Sequence, residues 1–159
     1  MKFIYDDGGR ANAGFKGKTG DCVCRAIAIA AQRPYKEVYD LINEFAKQER
    51  TGKRKKGISN ARTGVYKATV KKVAEHYGFR WVPTMKIGQG CKTHLCADEL
   101  PMGRLIVRLS KHETAVIDGV IHDIYDPNDR YIMDGYGNDI TTDRCVYGYF
   151  IREREETED

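Results

Sequence analysis

Three features of the sequence predict an α+β chain, with helices first and an antiparallel sheet after them. Residues 22–31 form a small-residue, apolar run opened by Asp21, which reads as a buried helix. Val38, Leu41, Ile42 and Phe45, then Val65, Thr69, Val73 and Tyr77, recur at helical spacing. Asp118-Gly119 sits between two β-rich runs, the strongest short-range sign of a hairpin. The 159 residues and 18.1 kDa amount to one domain. A chain of this length buries roughly 70% of its unfolded surface without needing a disulfide or metal staple.

Each element follows from local signals. Residues 1–20 hold five glycines and little periodicity, so they are expected to form an irregular arm. Residues 21–92 make a mainly helical part. Asp21 is positioned as the N-cap of the first helix, and Pro34 ends it and opens the second. Thr63 to Tyr77 reads as a third helix with Gly78 as its C-cap, and Phe79 to Val82 as a short strand. Residues 93–151 make an antiparallel sheet part. His94 to Leu100 is expected to hold a helical turn that Pro101 stops. Arg104 to Leu109 is a strand, the 114–124 segment is the hairpin, and Cys145 to Ile151 is a last strand. Residues 127–144, rich in Asp, Gly and Asn, are a loop. Residues 152–159 are an acidic tail expected to fray.

The net charge of +4 hides a split. Residues 1–92 carry 20 Lys and Arg against 8 Asp and Glu, whereas residues 93–159 carry 7 against 15. Such asymmetry points either to an acidic partner or to attraction between two lobes. Lobe-to-lobe attraction is the expectation here. The densest positive charge is in residues 47–56, where Lys53, Arg54, Lys55 and Lys56 follow one another and could hold phosphates. Few aromatics are interleaved with them, so no single-strand stacking platform is indicated. No apolar run approaches the roughly 18 residues of a membrane span. The first residues lack the apolar core of a secretory signal, so no membrane partner and a cytoplasmic location are expected.

The five cysteines are Cys22, Cys24, Cys91, Cys96 and Cys145, an odd number that argues against a disulfide framework. Cys91, His94 and Cys96, with Cys145 as a fourth ligand, form a zinc candidate. Their Cys-x2-His-x-Cys spacing matches no common structural zinc module, so no cofactor is expected. Cys22 stands out because it opens a helix, where free N–H groups and the helix dipole favour a thiolate. Cys24 reads as packing, though a two-residue shift of the helix start would exchange the two roles. The thiolate needs a base, and the histidines are His76, His94, His112 and His122. A two-residue turn at Asp118-Gly119 pairs Ala115 with His122 and Thr114 with Asp123, with His112 across from Tyr125. Alternation then puts His112, Thr114 and Asp123 on one face and His122 on the other. Asp123 could fix the His112 tautomer, with Asp126 as an alternative third member. His76, ahead of Tyr77 on the third helix, is expected to face solvent.

This order of nucleophile, base and acid resembles that of papain-like cysteine hydrolases. Gly20-Asp21-Cys22-Val23-Cys24-Arg25-Ala26-Ile27-Ala28-Ile29-Ala30 is also similar to a motif of small uncharacterised phage and prophage proteins. So are Ala61-Arg62-Thr63-Gly64-Val65, Val82-Pro83-Thr84-Met85-Lys86-Ile87-Gly88 and the stretch His112 to Asp123. The papain-like resemblance implies Cys22 as nucleophile, His112 as general base and Asp123 as the orienting acid. Papain-like enzymes place a Gln before the nucleophile, and none precedes Cys22; the one side-chain amide upstream is Asn12. The oxyanion would then fall to the Cys22 N–H with Asn12, Thr19 or Lys18. The resemblance implies a cysteine hydrolase of the peptidase, amidase or isopeptidase type, acting on a peptide or protein. It equally allows an inactive relative serving as a virion component or binding a host protein. Nucleic-acid binding through residues 47–56 is a third expectation.

Overall fold

The computed structural model describes residues 1–52, 57–129, 132, 133, 136, 139, 140 and 143–152. Lys53, Arg54, Lys55 and Lys56, and the tail beyond residue 152, lie outside the described residues. The fold is α+β. In chain order it runs β1 (Lys2–Tyr5), α1 (Cys22–Ala31), α2 (Tyr35–Ala46), α3 (Lys67–His76), β2 (Phe79–Pro83), β3 (Arg104–Leu109), β4 (His112–Ile117), β5 (Val120–Asp123), β6 (Ile132–Met133), β7 (Asp139–Ile140) and β8 (Gly148–Arg152). A single 3₁₀ turn, Ala97–Glu99, occupies the place of the expected helical turn.

Six strands form one sheet in the order β1-β5-β4-β3-β8-β2, and β6 pairs separately with β7. The sheet is mixed, which corrects the antiparallel expectation. Residues 1–20 are not wholly irregular, because Lys2–Tyr5 adds a strand parallel to β5. The segment is too short and too exposed to carry a pattern of alternation, so the pairing comes from the free edge of β5. The other edge is β2, drawn from the helical part and joined antiparallel to β8. The two sequence halves are therefore interleaved in one sheet. Among the described residues, the ion pairs that join them are Arg25–Asp123 and His122–Asp6. Most other pairs link near neighbours in sequence, such as Lys36–Asp40 and Lys71–Glu75. Among the described residues, attraction between the halves therefore rests on these two pairs.

Local chemistry explains the elements that place the site. In α1 every residue after Cys22 is buried, as its small and apolar composition requires. The helix ends where Gln32 adopts φ 55° and returns its N–H to Ala28 O and Ile29 O. Pro34 then starts α2, which buries Val38 and Ile42. Asp118 (φ 48°) and Gly119 (φ 78°) both turn left-handed, the geometry of a two-residue hairpin whose twist suits its strands. The resulting register pairs Ala115 with His122, Val116 with Ile121 and Ile117 with Val120, as the sequence arithmetic requires. The third helix is shorter than expected, because residues 60–64 form a tight turn closed by the Asn60–Gly64 bridge. The last strand starts at Gly148 instead of Cys145, because Cys145 bridges His94 instead.

Two apolar clusters clasp the sheet. One packs the three helices, through residues such as Ile27, Ile42 and Val73, onto Ile106 and Phe150. The other packs Leu95, Leu100 and Val146 onto Leu105, Val107 and Val116. A disulfide joins Cys91 to Cys145 across a Cα separation of 5.9 Å, tying the 91–96 segment to the lead-in of β8. This corrects the expectation drawn from the odd cysteine count: two thiols are paired, and Cys22, Cys24 and Cys96 are free. It also removes Cys91 from the zinc candidate. His94 and Cys96 both turn to Glu99, and the described residues contain no cluster of three or more metal-ligating side chains.

Gly148 has a packing reason of its own. A Cβ there would lie 2.3 Å from the Trp81 indole and 2.9 Å from the Val82 carbonyl oxygen. The backbone oxygen cannot yield while β2 stays paired with β8. Gly148→Ala is therefore expected to lower stability by about 2–3 kcal/mol, measured by urea unfolding. A loss below about 0.5 kcal/mol would contradict this packing.

Candidate active site

Cys22, His112 and Asp123 come from α1, β4 and β5, and the fold brings them together. His112 Nε2 lies 2.7 Å from Asp123 Oδ2. The Cys22 thiol shares a cavity wall with His112 and favours the charged form of the same imidazole. Nε2 is committed to Asp123, so Nδ1 is the nitrogen left to exchange a proton with sulfur. The Tyr125 hydroxyl is 3.2 Å from Nδ1, and its ring stacks on the imidazole with centroids 5.1 Å apart. Cys22 is partly exposed, whereas His112 and Asp123 are buried.

The acid is firmly held. Thr114 donates its hydroxyl to Asp123 Oδ2 at 2.7 Å, and the Ile124 N–H donates to Oδ1 at 2.7 Å. Burial opposes ionisation of Asp123, but the His112 bond and charge, with these donors, hold its carboxyl below the usual range. Burial likewise opposes charge on His112, and the Asp123 hydrogen bond and the Cys22 thiol outweigh it. The imidazole is pushed up to about 9.

Asp21 occupies the N-cap position of α1 but does not cap it. Its carboxylate turns inward, accepting from the Arg25 guanidinium and from the Tyr35 hydroxyl at 2.6 Å. Arg10 Nε approaches at 3.3 Å. Burial resists ionisation of Asp21; the Thr19 and Tyr35 hydroxyls and the two arginines overcome it. The consequence lies at the helix start. The Cys22, Val23 and Cys24 N–H groups have no intrahelical acceptor, and no side chain caps them. Of these residues Cys22 and Val23 line the cavity, where such donors suit a developing oxyanion.

Arg25 is the functional residue that the sequence reading missed. Its guanidinium bonds Asp21 and reaches to 3.7 Å from Asp123 Oδ1 while 5% exposed. The signal was present as a lone charge in an apolar helix, four residues from Asp21 and three from Cys22. Such a charge is retained in a core only with a partner.

The remaining sequence candidates fall elsewhere. Cys24 is fully buried, its thiol turned to the Tyr35 carbonyl oxygen at 3.7 Å, and burial pushes that thiol up. Asp126 accepts from the Asn128 N–H at 2.9 Å and shapes a turn, whereas Asp123 is the acid bonded to His112. His122 points to the opposite face, 3.3 Å from Asp6. His76 is exposed, against the Phe45 and Tyr77 rings. Asn12 and Lys18 are exposed and Thr19 is bonded to Asp21. None of these three lines the cavity beside Cys22, though Gly20 does. That cavity, about 360 Å³, lies between the starts of α1 and α3 and the β3–β4 turn, with Cys22 and His112 in its wall.

Comparison with protein family models, with curated proteins and with solved structures finds no match to this chain.

The raised His112 pKa gives a signed expectation. Its charged form is favoured by folding, so the stability it contributes is complete below the unfolded value of about 6.5 and lost as pH rises to about 9. The loss should be roughly 3 kcal/mol between pH 6 and 9.5, read by urea unfolding. In His112→Gln this slope should vanish; an unchanged slope would place the titration on another group.

Proposed function

We propose that the chain is a cysteine hydrolase of papain-like fold, acting on an amide, ester or isopeptide bond in a peptide or protein. The observation that carries this is one imidazole bonded to a buried carboxylate and lining the same cavity as a helix-start thiol. Cys22 Sγ attacks the scissile carbonyl carbon, forming the C–S bond while the carbonyl π pair moves onto oxygen. The Cys22 N–H and its helical neighbours meet that oxyanion. His112 Nδ1, having held the thiol proton, delivers it to the leaving nitrogen or oxygen as that bond breaks. Water then attacks the thioester while His112 takes its proton and returns it to sulfur. Asp123 stays ionised throughout, fixing Nε2–H and stabilising the imidazolium.

A second reading has one observation in its favour. The Tyr125 hydroxyl occupies the nitrogen that the thiol needs, as it would in a binding protein that keeps the fold without turnover. The papain-like resemblance also allows a phage-encoded virion or host-binding component of that kind. Residues 53–56, on which nucleic-acid binding would depend, lie outside the described residues.

Alkylation of Cys22 by iodoacetamide, followed site by site by mass spectrometry, separates the two. A hydrolase should label Cys22 at least tenfold faster than glutathione at pH 6, and His112→Ala should abolish the excess. Its acyl-enzyme should appear as a p-nitrophenyl acetate burst, absent in Cys22→Ala. Asp123→Asn should slow the burst by roughly two orders of magnitude or more. If Cys22 labels no faster than glutathione in both the native chain and Tyr125→Phe, the hydrolase assignment fails. Rapid labelling in Tyr125→Phe alone assigns Tyr125 as a block on the base.

A further inference from the structure

The cavity beside Cys22 has a charge that the triad does not use. Its floor carries Arg108 and Glu113, cross-strand partners on β3 and β4, with Arg108 Nε donating to Glu113 Oε1 at 2.7 Å. Arg108 is also stacked on the Trp81 ring at 4.7 Å, which fixes the guanidinium plane. Glu113 is the one acid among the described lining residues. Its side chain is 8% exposed, and Arg108 neutralises it. Burial, partly offset by Arg108, further pushes its carboxyl toward the uncharged form.

Two more cations stand at the opening. Lys67 is the first residue of α3 and Lys111 the second residue of the β3–β4 turn, at φ 57°. Both are exposed and both line the cavity, and Lys67 also acts on the Glu113 charge. Lys111 directly precedes His112. Arg108 at least offsets Glu113, so the wall beside the thiol–imidazole pair carries a net charge of at least two positive units. The starts of α1 and α3 face the same space and add the positive ends of two helix dipoles. The walls offer little that would suit a cationic substrate.

Resting on the hydrolase reading, we infer that the substrate carries a carboxylate next to the scissile bond, and that Lys67 and Lys111 select it. The recognised chemistry is an acyl compound with an anionic neighbour, whether an acidic side chain or a free chain terminus. The lysines act by attraction at the cavity mouth and take no part in proton transfer. Each contributes about threefold in apparent affinity at a separation near 7 Å in water, so the pair contributes roughly tenfold at low salt.

Paired alkylating reagents of like size test this without knowledge of the natural substrate. Iodoacetate is anionic and iodoacetamide neutral, and the ratio of their rates is read at Cys22 and at Cys96 in the same molecules. Cys96 lies beside Glu99 and serves as the internal reference. The Cys22 ratio should exceed the Cys96 ratio by about tenfold at 20 mM salt and shrink as salt rises. In the double variant Lys67→Gln, Lys111→Asn it should fall roughly tenfold; Asn tolerates the left-handed turn position. N-bromoacetylglycine and N-bromoacetyl-aspartic α-amide then distinguish the two sources of the carboxylate: preference for the first indicates a chain terminus, for the second a side chain. A ratio unchanged in the double variant overturns the role of the lysines while leaving the hydrolase assignment standing. A Cys22 inert to both reagents overturns the hydrolase assignment and this inference with it.

Discussion

Two carboxylates, Asp21 and Asp123, are buried almost completely, and one guanidinium lies between them. Arg25 bonds the first and approaches the second, so a line of alternating charge runs from Arg10 through Asp21, Arg25 and Asp123 to the imidazole. A lone buried carboxylate would cost several kcal/mol and would take up a proton instead. Here each has at least two donors, and both remain ionised. The position of the thiol depends on this network. Asp21, drawn inward by Arg25 and Tyr35, leaves the first turn of α1 uncapped and its N–H groups free. Asp123, held by Thr114 and Ile124, fixes the ring that faces Cys22. The helix start and the strand ends are thus set by the same electrostatic constraint.

The legible parts of the sequence were those whose physics is local. The Asp118-Gly119 turn needs two left-handed residues, and that alone fixes the register placing Thr114 and His112 against Asp123. The α1 run has no polar face, so its burial followed from composition. The strand Arg104–Leu109 was likewise bounded by what lies in it. Where the outcome depends on a distant partner, the sequence was silent. Nothing in Lys2–Tyr5 announces a parallel edge strand, because the bonds that hold it belong to β5. Asp21 carries the signature of a cap, and only the arrival of Arg10 and Tyr35 turns it away. The pairing of Cys91 with Cys145 spans 54 residues and could not be read from spacing. The charge split between the halves does not map onto two separate lobes for the same reason: chain position does not give spatial position once β1 and β2 cross into the sheet.

The surroundings of the candidate site divide its polar groups by purpose. Asp123, Thr114 and Arg25 are buried and mutually bonded, which suits fixed orientation. Lys67 and Lys111 are exposed at the mouth, and Tyr125 is partly exposed with its hydroxyl on His112. Arg108 lies between these groups, pinned by Trp81 on one side and Glu113 on the other. A buried, mutually bonded floor beneath an exposed rim keeps the site's polar groups preorganised.

The placement of β1 has a consequence for how the molecule comes into being. Strand β5 carries Asp123, and its outer edge is closed by the first residues of the chain, with the Asp6 N–H bonded to the Asp123 carbonyl oxygen at 2.9 Å. The thiol and the opening strand emerge early in synthesis, and the base and acid emerge about a hundred residues later. Until β4 and β5 have paired, Cys22 heads a helix without its imidazole, and β1 has no edge to join. Contacts so distant along the chain are slow to form. Cys22, His112 and Asp123 can therefore meet only after the chain has been made through residue 123, and until then the thiol stands without its imidazole.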